Sequence, residues 1–327
     1  MLSKSLPEFL AKSLPEDLTD ADVFGGRLVA VYGEDQAAEI VASMGKETRH
    51  AYWVNPLRRG DVPVFGEPIP ALPGMWSVPR DSDITYSEEA SEGRIYIQNP
   101  SSQLAVRVLD PQPHEEVLDL AAAPGSKTIA MAVAMHNSGR IGAVEPIKGR
   151  FHRLKANVER CGVTNVEFYL RDGRGVGKVV PERFDRVLLD APCSSEARMR
   201  WSDSSTYKHW SQRKVKETQR KQKSLLRSAY AALKPGGILV YCTCSYSPEE
   251  NEVVVAHLLK RSEARLETLA IIPTNSVVGL KQWQGKQLPV DMQKTIRILP
   301  NEIWDGFFIA CIRKPEGEKW GQSSVPK

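Results

Sequence analysis

Apolar and polar positions along the chain follow two different patterns on either side of residue 93. From residue 93 onward, short apolar runs alternate with segments in which apolar residues recur every three or four positions. This pattern predicts helices within residues 126–136, 147–162 and 223–237, and strands at 116–121, 140–145, 166–172, 186–192 and 237–245. Alternating strands and helices predict an α/β fold with a mainly parallel, doubly wound sheet, and apolar segments at 295–300 and 306–314 predict further strands at its edge.

The first 92 residues have a different pattern and predict a smaller α+β domain. Segments 27–33, 34–45 and 50–56 predict a strand, a helix and a strand. Five prolines follow within residues 63–79, and this density predicts an extended connection, because proline fits neither a helix interior nor a central strand. The predicted divisions are an N-terminal region (1–92), the α/β domain (93–316) and a tail (317–327).

Composition and charge narrow the picture only in part. The 327 residues are 41% hydrophobic, and no apolar run approaches the roughly 18 residues that span a membrane, so we expect a cytoplasmic protein that does not insert into membranes. Its five cysteines are then expected to be free thiols. Residues 208–223 carry seven Lys or Arg and one Glu, with Trp210 among them. This strip predicts either a solvated helix face or a contact with nucleic-acid phosphates.

The segment LDLAAAPGSKT (118–128) joins the first strand of the α/β domain to a helix. It lacks the pattern of a phosphate-binding loop, because Ser126 separates Gly125 from Lys127 and the position of the earlier glycine holds another residue. The Gly-x-Gly-x-x-Gly pattern of dinucleotide folds is absent as well. A tight turn of small residues before a helix N-terminus remains, and it suits a compact ligand with an anionic group.

Four acidic residues and a thiol lie at the ends of the predicted strands: Asp119, Glu145, Asp172, Asp190 and Cys244. Ligands bind at the carboxyl ends of parallel strands, so we expect these side chains to share one site. S-adenosylmethionine fits this pattern, with its ribose at Glu145, its adenine near Asp172 and its methionine end beside the turn. The predicted cofactor-binding residues are Ala121, Ala122, Ala123, Pro124, Gly125, Ser126, Lys127, Glu145, Asp172 and Asp190.

Two cysteines, Cys193 and Cys244, follow neighbouring strands and are expected at the same edge of the sheet. A single buried cysteine is usually a small hydrophobic residue, but two thiols beside an acid and a cofactor turn indicate chemistry. We expect Cys242 to point to the opposite face of its strand and to pack there. Zinc is not predicted, because the Cys-x-Cys segment has no second pair and no suitably spaced histidine.

Three segments resemble, in order, the signature motifs of the NOL/NOP/Sun-type RNA cytosine-5 methyltransferases: DLAAAPGSKT (119–128), DAPCSS (190–195) and TCSYSPEENE (243–252). Flanking segments at 96–105, 154–162 and 305–314 are similar too, so the resemblance covers about residues 93–315. It implies a Rossmann-like methyltransferase domain with S-adenosylmethionine as cofactor. RNA is the implied partner, with bacterial 16S ribosomal RNA first and transfer RNA second. A weaker similarity at 49–59 implies an RNA-binding N-terminal region.

The resemblance assigns catalytic roles to Cys244 and Cys193, and we predict Asp190 as a third catalytic residue. Cys244 attacks carbon 6 of cytosine, which activates carbon 5 as a nucleophile, and Cys193 assists release of the product. We expect Asp190 to lie against the ring nitrogen and the amino group of the cytosine and to support protonation that makes carbon 6 more electrophilic. Ser247 followed by Pro248 predicts a helix that begins three residues after Cys244, and its positive end would lower the pKa of that thiol.

Cationic residues near the Cys193 loop are the candidates for RNA contact: Arg198, Arg200, Lys208, Arg213 and Lys214. The loop itself departs from the family pattern, because Ser195 and Ala197 replace two glycines, so we expect a different loop shape. We expect a monomer without a bound metal. Two alternatives stay open: a methyltransferase for protein or another base, and a non-catalytic RNA-binding assembly factor with the same fold.

Overall fold

The computed structural model describes residues 7, 10 and 12–317 of the chain. Of the predicted tail (317–327), only Gly317 lies within this part. None of the helices described here combines the length and the apolar character that a membrane span requires.

The N-terminal region combines helices with a four-stranded antiparallel sheet. Its helices are α1 (Ala21–Tyr32), α2 (Glu34–Met44) and the short α3 (Glu88–Ser91). Its strands are β1 (His50–Val54), β2 (Glu67–Pro68), β3 (Met75–Val78) and β4 (Ile95–Ile97), in the order β2-β3-β1-β4. The predicted helix at 34–45 and strand at 50–56 are confirmed to within two residues.

Two predictions for this region are wrong. Residues 27–33, predicted as a strand, form the second half of α1 and the glycine that ends it. Phe24 and Leu28, one helical turn apart, are both buried, and a short apolar run does not distinguish a helix from a strand. The proline-rich passage 63–79 contributes β2 and β3 to the sheet. Pro68 is tolerated there because β2 is an edge strand. The sheet also extends beyond residue 92, because β4 pairs with β1.

The remaining elements build the α/β domain. In chain order they are α4 (Pro100–Leu109), β5 (Glu116–Asp119), α5 (Ser126–Ala134), β6 (Arg140–Val144), α6 (Lys148–Arg160), β7 (Val166–Tyr169), α7 (Val176–Val179), β8 (Phe184–Asp190), α8 (Gln212–Ala232), β9 (Leu233–Thr243), α9 (Glu252–Leu259), β10 (Arg265–Glu267), β11 (Ser276–Val278), β12 (Gln282–Trp283), β13 (Lys286–Gln287), β14 (Ile296–Ile298) and β15 (Phe307–Arg313). The main sheet has the order β11-β14-β15-β9-β8-β5-β6-β7, with β10 paired to β15. Strands β9 to β7 in this order are parallel, and β15, β14 and β11 continue the sheet antiparallel. The predicted fold class and the two further strands are confirmed, but these strands do not form the edge on this side, which is β11.

Both faces of the parallel strands are covered, which explains their almost continuous apolar sequences. In β8, Leu188 belongs to one hydrophobic cluster, whereas its neighbours Val187 and Leu189 belong to the cluster on the opposite side. All three side chains are fully buried. This burial holds β8 in place between β5 and β9 and positions the loop that follows Asp190.

Helix α1 packs against the segment that follows β9. The Arg27 guanidinium donates to Ser247 Oγ at 3.2 Å and forms an ion pair with Glu249 at 2.5 Å. The ring of Phe24 meets Trp210 edge to face, with 5.1 Å between the ring centroids. Trp210 is only 2% exposed, so the suggestion that it flanks an RNA contact is wrong. Its indole is part of the packing between the two regions.

Candidate active site

A cavity of about 590 Å³ lies at the carboxyl ends of the parallel strands, where this fold class binds ligands. Its volume is typical of a small-molecule site. The five residues predicted at the strand ends all border it: Asp119, Glu145, Asp172, Asp190 and Cys244. Both thiol-bearing loops reach the same cavity, because Cys193 is a further wall residue.

The turn between β5 and α5 forms one wall, through Ala121, Ala122, Ala123, Pro124 and Ser126. Gly125 is the one predicted cofactor-binding residue that does not border the cavity. It has a φ of +110°, and a Cβ there would lie 3.0 Å from Leu154 Cδ1. Glycine therefore allows both the left-handed turn and the close approach of α6.

Asp119 carries an unused acceptor at this wall. Thr128 Oγ1 donates to its Oδ2 at 2.6 Å, whereas its Oδ1 has no hydrogen-bond partner within the described part of the chain. Burial raises the pKa of this carboxyl to about 6. A ligand ammonium group would supply the missing donor, and the amino-acid end of S-adenosylmethionine carries one. The unpaired oxygen of Asp119 is therefore suited to bind S-adenosylmethionine. The sequence analysis predicted Asp119 as a residue of the site but did not include it among the cofactor-binding residues.

Glu145 and Asp172 line the next part of the cavity and differ in their exposure and in their hydrogen-bond partners. Glu145 is buried, and one of its oxygens accepts from the Ile147 backbone at 2.9 Å. Asp172 is half-exposed and is paired with Arg174 at 2.5 Å. The hydrogen bond from Arg174 lowers the pKa of Asp172. Ile147, which the sequence analysis missed, also borders the cavity and is 55% exposed, so it offers an apolar surface for a planar ring beside the Glu145 carboxylate.

The two thiols lie in contact. Strands β8 and β9 run parallel with Asp190 opposite Cys242, so the loops that follow them converge and bring Cys193 Sγ within 3.2 Å of Cys244 Sγ. The hydrogen bond from Cys193, and secondly the charge of Arg198, lower the pKa of Cys244. The same contact and burial raise the pKa of Cys193 well above its ordinary value. Cys244 is therefore the more readily ionised thiol of the pair.

Asp190 is bound to Lys127 from the cofactor turn. Lys127 Nζ lies 2.6 Å from Asp190 Oδ2 and 3.1 Å from Ser102 Oγ. Lys127, predicted as a cofactor contact, thus places its ammonium at the thiol end of the cavity. The prediction that Cys242 points away from the face of Cys244 is wrong, because residues two apart on a strand share a face. The prediction that Cys242 packs in the interior is confirmed, since it is fully buried in a hydrophobic cluster. Its Sγ lies 3.7 Å from Asp190 Oδ1.

Two buried carboxylates connect the Cys193 loop to the Cys244 loop. Glu196 accepts from the backbone N–H groups of Tyr246 (2.7 Å) and Ser247 (2.9 Å), from Ser247 Oγ (2.7 Å), from Ser245 Oγ (2.9 Å) and from Trp210 Nε1 (2.8 Å). Glu250 is bound by Ser194 N (2.9 Å), Ser245 Oγ (2.6 Å), Thr218 Oγ1 (2.5 Å) and Gln222 Nε2 (3.1 Å). We call Glu196, Ser245 and Glu250 the carboxylate bridge.

The contacts of the carboxylate bridge require one more proton than Ser245 supplies. Ser245 Oγ lies within hydrogen-bond distance of both carboxylates but has only one hydrogen to donate. Burial, and secondly the charge of Glu196, raise the pKa of Glu250 to about 7. Glu250 is thus the member that carries the extra proton near neutral pH.

The predicted helix start at Ser247 is wrong. The Ser247 hydroxyl donates to Glu196, and α9 begins only at Glu252, after a turn. No helix N-terminus therefore lies three residues after Cys244, and Cys193 and Arg198 lower its pKa instead. Ser195 stands where the family pattern has a glycine, and it adopts a backbone conformation that favours glycine, with a φ of +62° in the left-handed region.

The candidate RNA-contact residues separate into different environments. Arg198 borders the cavity, whereas Arg200 is paired with Asp305 at 2.8 Å. Arg213 is exposed and paired with Glu217 at 3.0 Å. Lys208 and Lys214 are exposed. Only Arg198 among the five thus lies at the reactive thiols.

Comparison with known proteins gives the same assignment. A model of the family described as 16S rRNA methyltransferase RsmB/F matches residues 106–313. The chain is 42% identical over 252 residues to the tRNA (cytosine(49)-C(5))-methyltransferase of Pyrococcus abyssi, a match that covers 76% of this chain and 80% of that protein. It is 38% identical over 295 residues to ribosomal RNA small subunit methyltransferase F of Vibrio campbellii, covering 84% of this chain but 59% of that protein.

A solved structure, that of a methyltransferase homolog protein from Pyrococcus horikoshii, is similar over 94% of this chain and 99% of its own, with a TM-score of 0.80 and 32% identity. The family match spans more than half of the chain and includes both thiols, the carboxylate bridge and the cofactor turn. The chain therefore belongs to the 16S rRNA methyltransferase RsmB/F family of S-adenosylmethionine-dependent RNA cytosine-5 methyltransferases.

Proposed function

We propose that this chain transfers a methyl group to carbon 5 of a cytosine in RNA, with Cys244 as the nucleophile and Cys193 assisting release. The observation that carries the proposal is the 3.2 Å contact between the two thiols in the wall of a cavity that also holds an unused acceptor at Asp119. S-adenosylmethionine carries a methyl group on a positively charged sulfur. A carbon nucleophile can take this methyl group, and the sulfur then leaves as a neutral thioether. An enzyme that acted on a better nucleophile would need the cofactor wall but not two thiols.

Cys244 begins the reaction because its thiolate is the better stabilised of the pair. It forms a C–S bond at carbon 6, and the displaced ring electrons make carbon 5 nucleophilic. Asp190 accepts from the amino group of the base and supports a proton on the ring nitrogen, while Lys127 stabilises the Asp190 carboxylate. The base must leave its stack to reach these groups, so the target nucleotide is single-stranded or flipped.

Cys193 assists the second half of the reaction. The hydrogen bond to Cys244, and then burial and the charge of Cys244, hold its pKa high in the resting protein. When Cys244 becomes a neutral thioether, two of these causes disappear, so the pKa of Cys193 falls. Cys193 can then lose its proton to solvent and accept the proton from carbon 5. The electrons of that C–H bond restore the ring double bond and expel the Cys244 thiolate.

Small-subunit ribosomal RNA is the first proposed substrate, because the matching family model carries that description. Transfer RNA is the second, and a specific observation favours it. The chain spans 80% of the archaeal tRNA enzyme but only 59% of the V. campbellii ribosomal RNA enzyme. Mapping of 5-methylcytosine in both RNA classes, from cells with and without the protein, distinguishes the two.

The thiol assignment is tested with transcripts of small-subunit ribosomal RNA and of transfer RNA. We expect Cys244→Ala to form no 5-methylcytosine, because the nucleophile that activates carbon 5 is removed. Cys193→Ala should accumulate a protein–RNA adduct that survives a denaturing gel, because the carbon 5 proton stays in place. Cys311→Ala is the matched control, since this buried cysteine lies outside the cavity wall.

Full turnover by Cys244→Ala contradicts the two-thiol mechanism. So does the failure of Cys193→Ala to form an adduct with any RNA that wild type methylates. The proposal also includes action as a monomer in the cytoplasm. Free thiols at all five cysteines are compatible with a reducing compartment. Gel filtration with light scattering tests the monomer.

A further inference from the structure

A second cavity, of about 710 Å³, lies on the other flank of α8. Its walls come from α8, α9 and the β12–β13 hairpin. Lys221 borders the active-site cavity, whereas Lys216 and Lys223 border the second one. Lys221 and Lys223 point about 160° apart around the helix, since successive helical residues differ by about 100°. We call this second cavity the basic groove.

The basic groove is lined by cations that have no acidic partner in the described part of the chain, although Arg261 Nη1 lies 3.1 Å from His257 Nδ1. Six line it: Lys216, Arg220, Lys223, Lys260, Arg261 and Lys286. Within the described residues none of the six forms an ion pair. The single carboxylate in the lining, Glu249, is already paired with Arg27 at 2.5 Å. The groove therefore presents a concentrated positive charge that the folded chain does not neutralise.

The cations from the two helices repel one another. Burial, and then the charge of Arg261 on the far wall, lower the pKa of Lys223. Burial and the charges of Arg261, Lys223 and Arg227 lower the pKa of His257 to about 4. A bound anion would relieve this repulsion, which the chain otherwise maintains at a cost in stability.

The rest of the lining favours a nucleic-acid backbone over a peptide. Twelve of the sixteen lining residues have polar or charged side chains. Four of them are amides that can donate to phosphate or ribose oxygens: Gln212, Gln219, Gln284 and Gln287. An acidic peptide would bring apolar side chains as well, and the groove offers few contacts for them. Repeated phosphates and ribose hydroxyls match this combination of cations and amides.

We propose that the basic groove binds the phosphate backbone of the substrate RNA at nucleotides away from the target cytosine. The inference rests on the proposed function, because it takes RNA as the substrate. Helix α8 then separates the reacting base from this second contact by about one helix diameter, roughly 10 Å. An RNA long enough to cross α8 engages both cavities, whereas a short strand engages only the active site.

The test compares two double variants that each remove one arginine and one lysine charge. Arg220→Gln/Lys260→Gln removes one cation from each helical wall of the groove. Arg153→Gln/Lys178→Gln removes two exposed cations elsewhere. Binding of a small-subunit ribosomal RNA transcript, a transfer RNA transcript and a short cytosine-containing oligonucleotide is measured by fluorescence anisotropy over a range of salt concentrations.

We expect the groove variant to bind at least one transcript about tenfold more weakly, with the slope of log affinity against log salt reduced by roughly one to two. Its affinity for the oligonucleotide should match wild type, and so should its yield of oligonucleotide adduct when Cys193→Ala is added. The control variant should keep the wild-type slope. Equal affinities and slopes for the two double variants would overturn the groove proposal.

Other outcomes separate the two proposals. If the groove variant binds every RNA normally but loses affinity for polyglutamate, the site serves an acidic protein and the RNA inference is wrong. If wild type binds transcripts through the groove yet no 5-methylcytosine forms in any RNA, the proposed methylation fails and the groove assignment stands. Equal weakening with the oligonucleotide and the transcripts would contradict a separate second contact.

Discussion

The two ends of the active-site cavity use hydrogen bonds in opposite ways. At the end formed by β5 and β6, Asp119 keeps an oxygen that has no partner among the described residues, and Ile147 exposes an apolar surface. At the end formed by β8 and β9, the thiols bind each other, and the carboxylate bridge connects their loops. The difference indicates that a surface that recognises a ligand needs hydrogen-bonding atoms left unpaired for that ligand. Reactive side chains instead need hydrogen bonds to other residues of the chain, because these bonds fix their positions.

The largest effect is expected from removing the anchor of the thiol end. Glu196→Ala removes the carboxylate that accepts from two buried backbone N–H groups and three side-chain donors. Of these donors, Ser245 Oγ keeps Glu250 as an acceptor and the Ser247 N–H keeps Ser245 Oγ. We expect the free energy of unfolding in urea to fall by about 4 kcal/mol and methyl transfer to fall by more than about a hundredfold. Glu196→Gln, which keeps an acceptor oxygen, should recover part of both.

Glu217→Ala is the matched control for this variant, because Glu217 is exposed and, among the described residues, forms an ion pair with Arg213 on α8 alone. Its expected cost is below about 0.5 kcal/mol. Reactivity of Cys244 toward iodoacetamide, followed against pH in the folded protein, distinguishes positioning from bulk stability. An unchanged alkylation profile in Glu196→Ala would show that the carboxylate bridge does not position the thiols.

The next effect concerns the cofactor end, where stability and binding should change in opposite directions. Burial raises the pKa of Asp119 from 3.8 to about 6, so between these pH values the folded protein holds more protons than the unfolded one. The stability of wild type therefore falls as pH rises from about 4 to 6 and stays lower above that range. Asp119→Asn removes this loss and keeps an acceptor for Thr128.

We expect the D119N variant, without ligand, to gain up to about 3 kcal/mol over wild type at pH 7.5, with the gain disappearing near pH 4. Its affinity for S-adenosylmethionine should fall by about ten- to a hundredfold, because the neutral amide loses the charge that pairs with the ammonium group. Chemical denaturation and isothermal titration calorimetry measure the two quantities. Unchanged affinity would remove Asp119 from the cofactor site.

The smallest effect is expected from removing the charge of Arg198, the cation beside the thiols. Arg198→Gln removes a positive charge that lowers the pKa of Cys244, so this pKa should rise and the thiolate fraction at neutral pH should fall. One unit corresponds to about a tenfold slower alkylation at pH 7. Arg200→Gln is the matched control, since Arg200 is engaged with Asp305. Identical alkylation profiles for the two variants would exclude Arg198 as a cause of Cys244 acidity.

Local patterns predicted the fold and the walls of the site. Strand ends are visible in the alternation of apolar runs and helical segments, which placed Asp119, Glu145 and Asp190 at one edge. The alternation does not show which side chain a polar group will bind. Ser247 matched a helix cap, but its hydroxyl is taken by Glu196, which lies 51 residues away in the chain. Such a partner is decided by tertiary packing, which overrides the local signal.

The features of the candidate site that the sequence did not show share this character. The unused oxygen of Asp119 and the apolar wall at Ile147 become visible only when the cavity is formed. The basic strip 208–223 was recognisable by composition, but its division by α8 into an active-site flank and a groove flank depends on where α9 and the β12–β13 hairpin pack. The face of Cys242 was an avoidable error, since period-two alternation places it beside Asp190.

The contact of Arg27 with Ser247 and Glu249 has a consequence for modularity. Arg27 of α1 holds the segment that follows Cys244, so the candidate site depends on contacts outside the segment that carries the family motifs. Exchange of the N-terminal region between relatives would therefore transplant part of the support of Cys244 together with any RNA preference. A chimera would therefore need to take α1 and the 247–249 segment from the same parent protein.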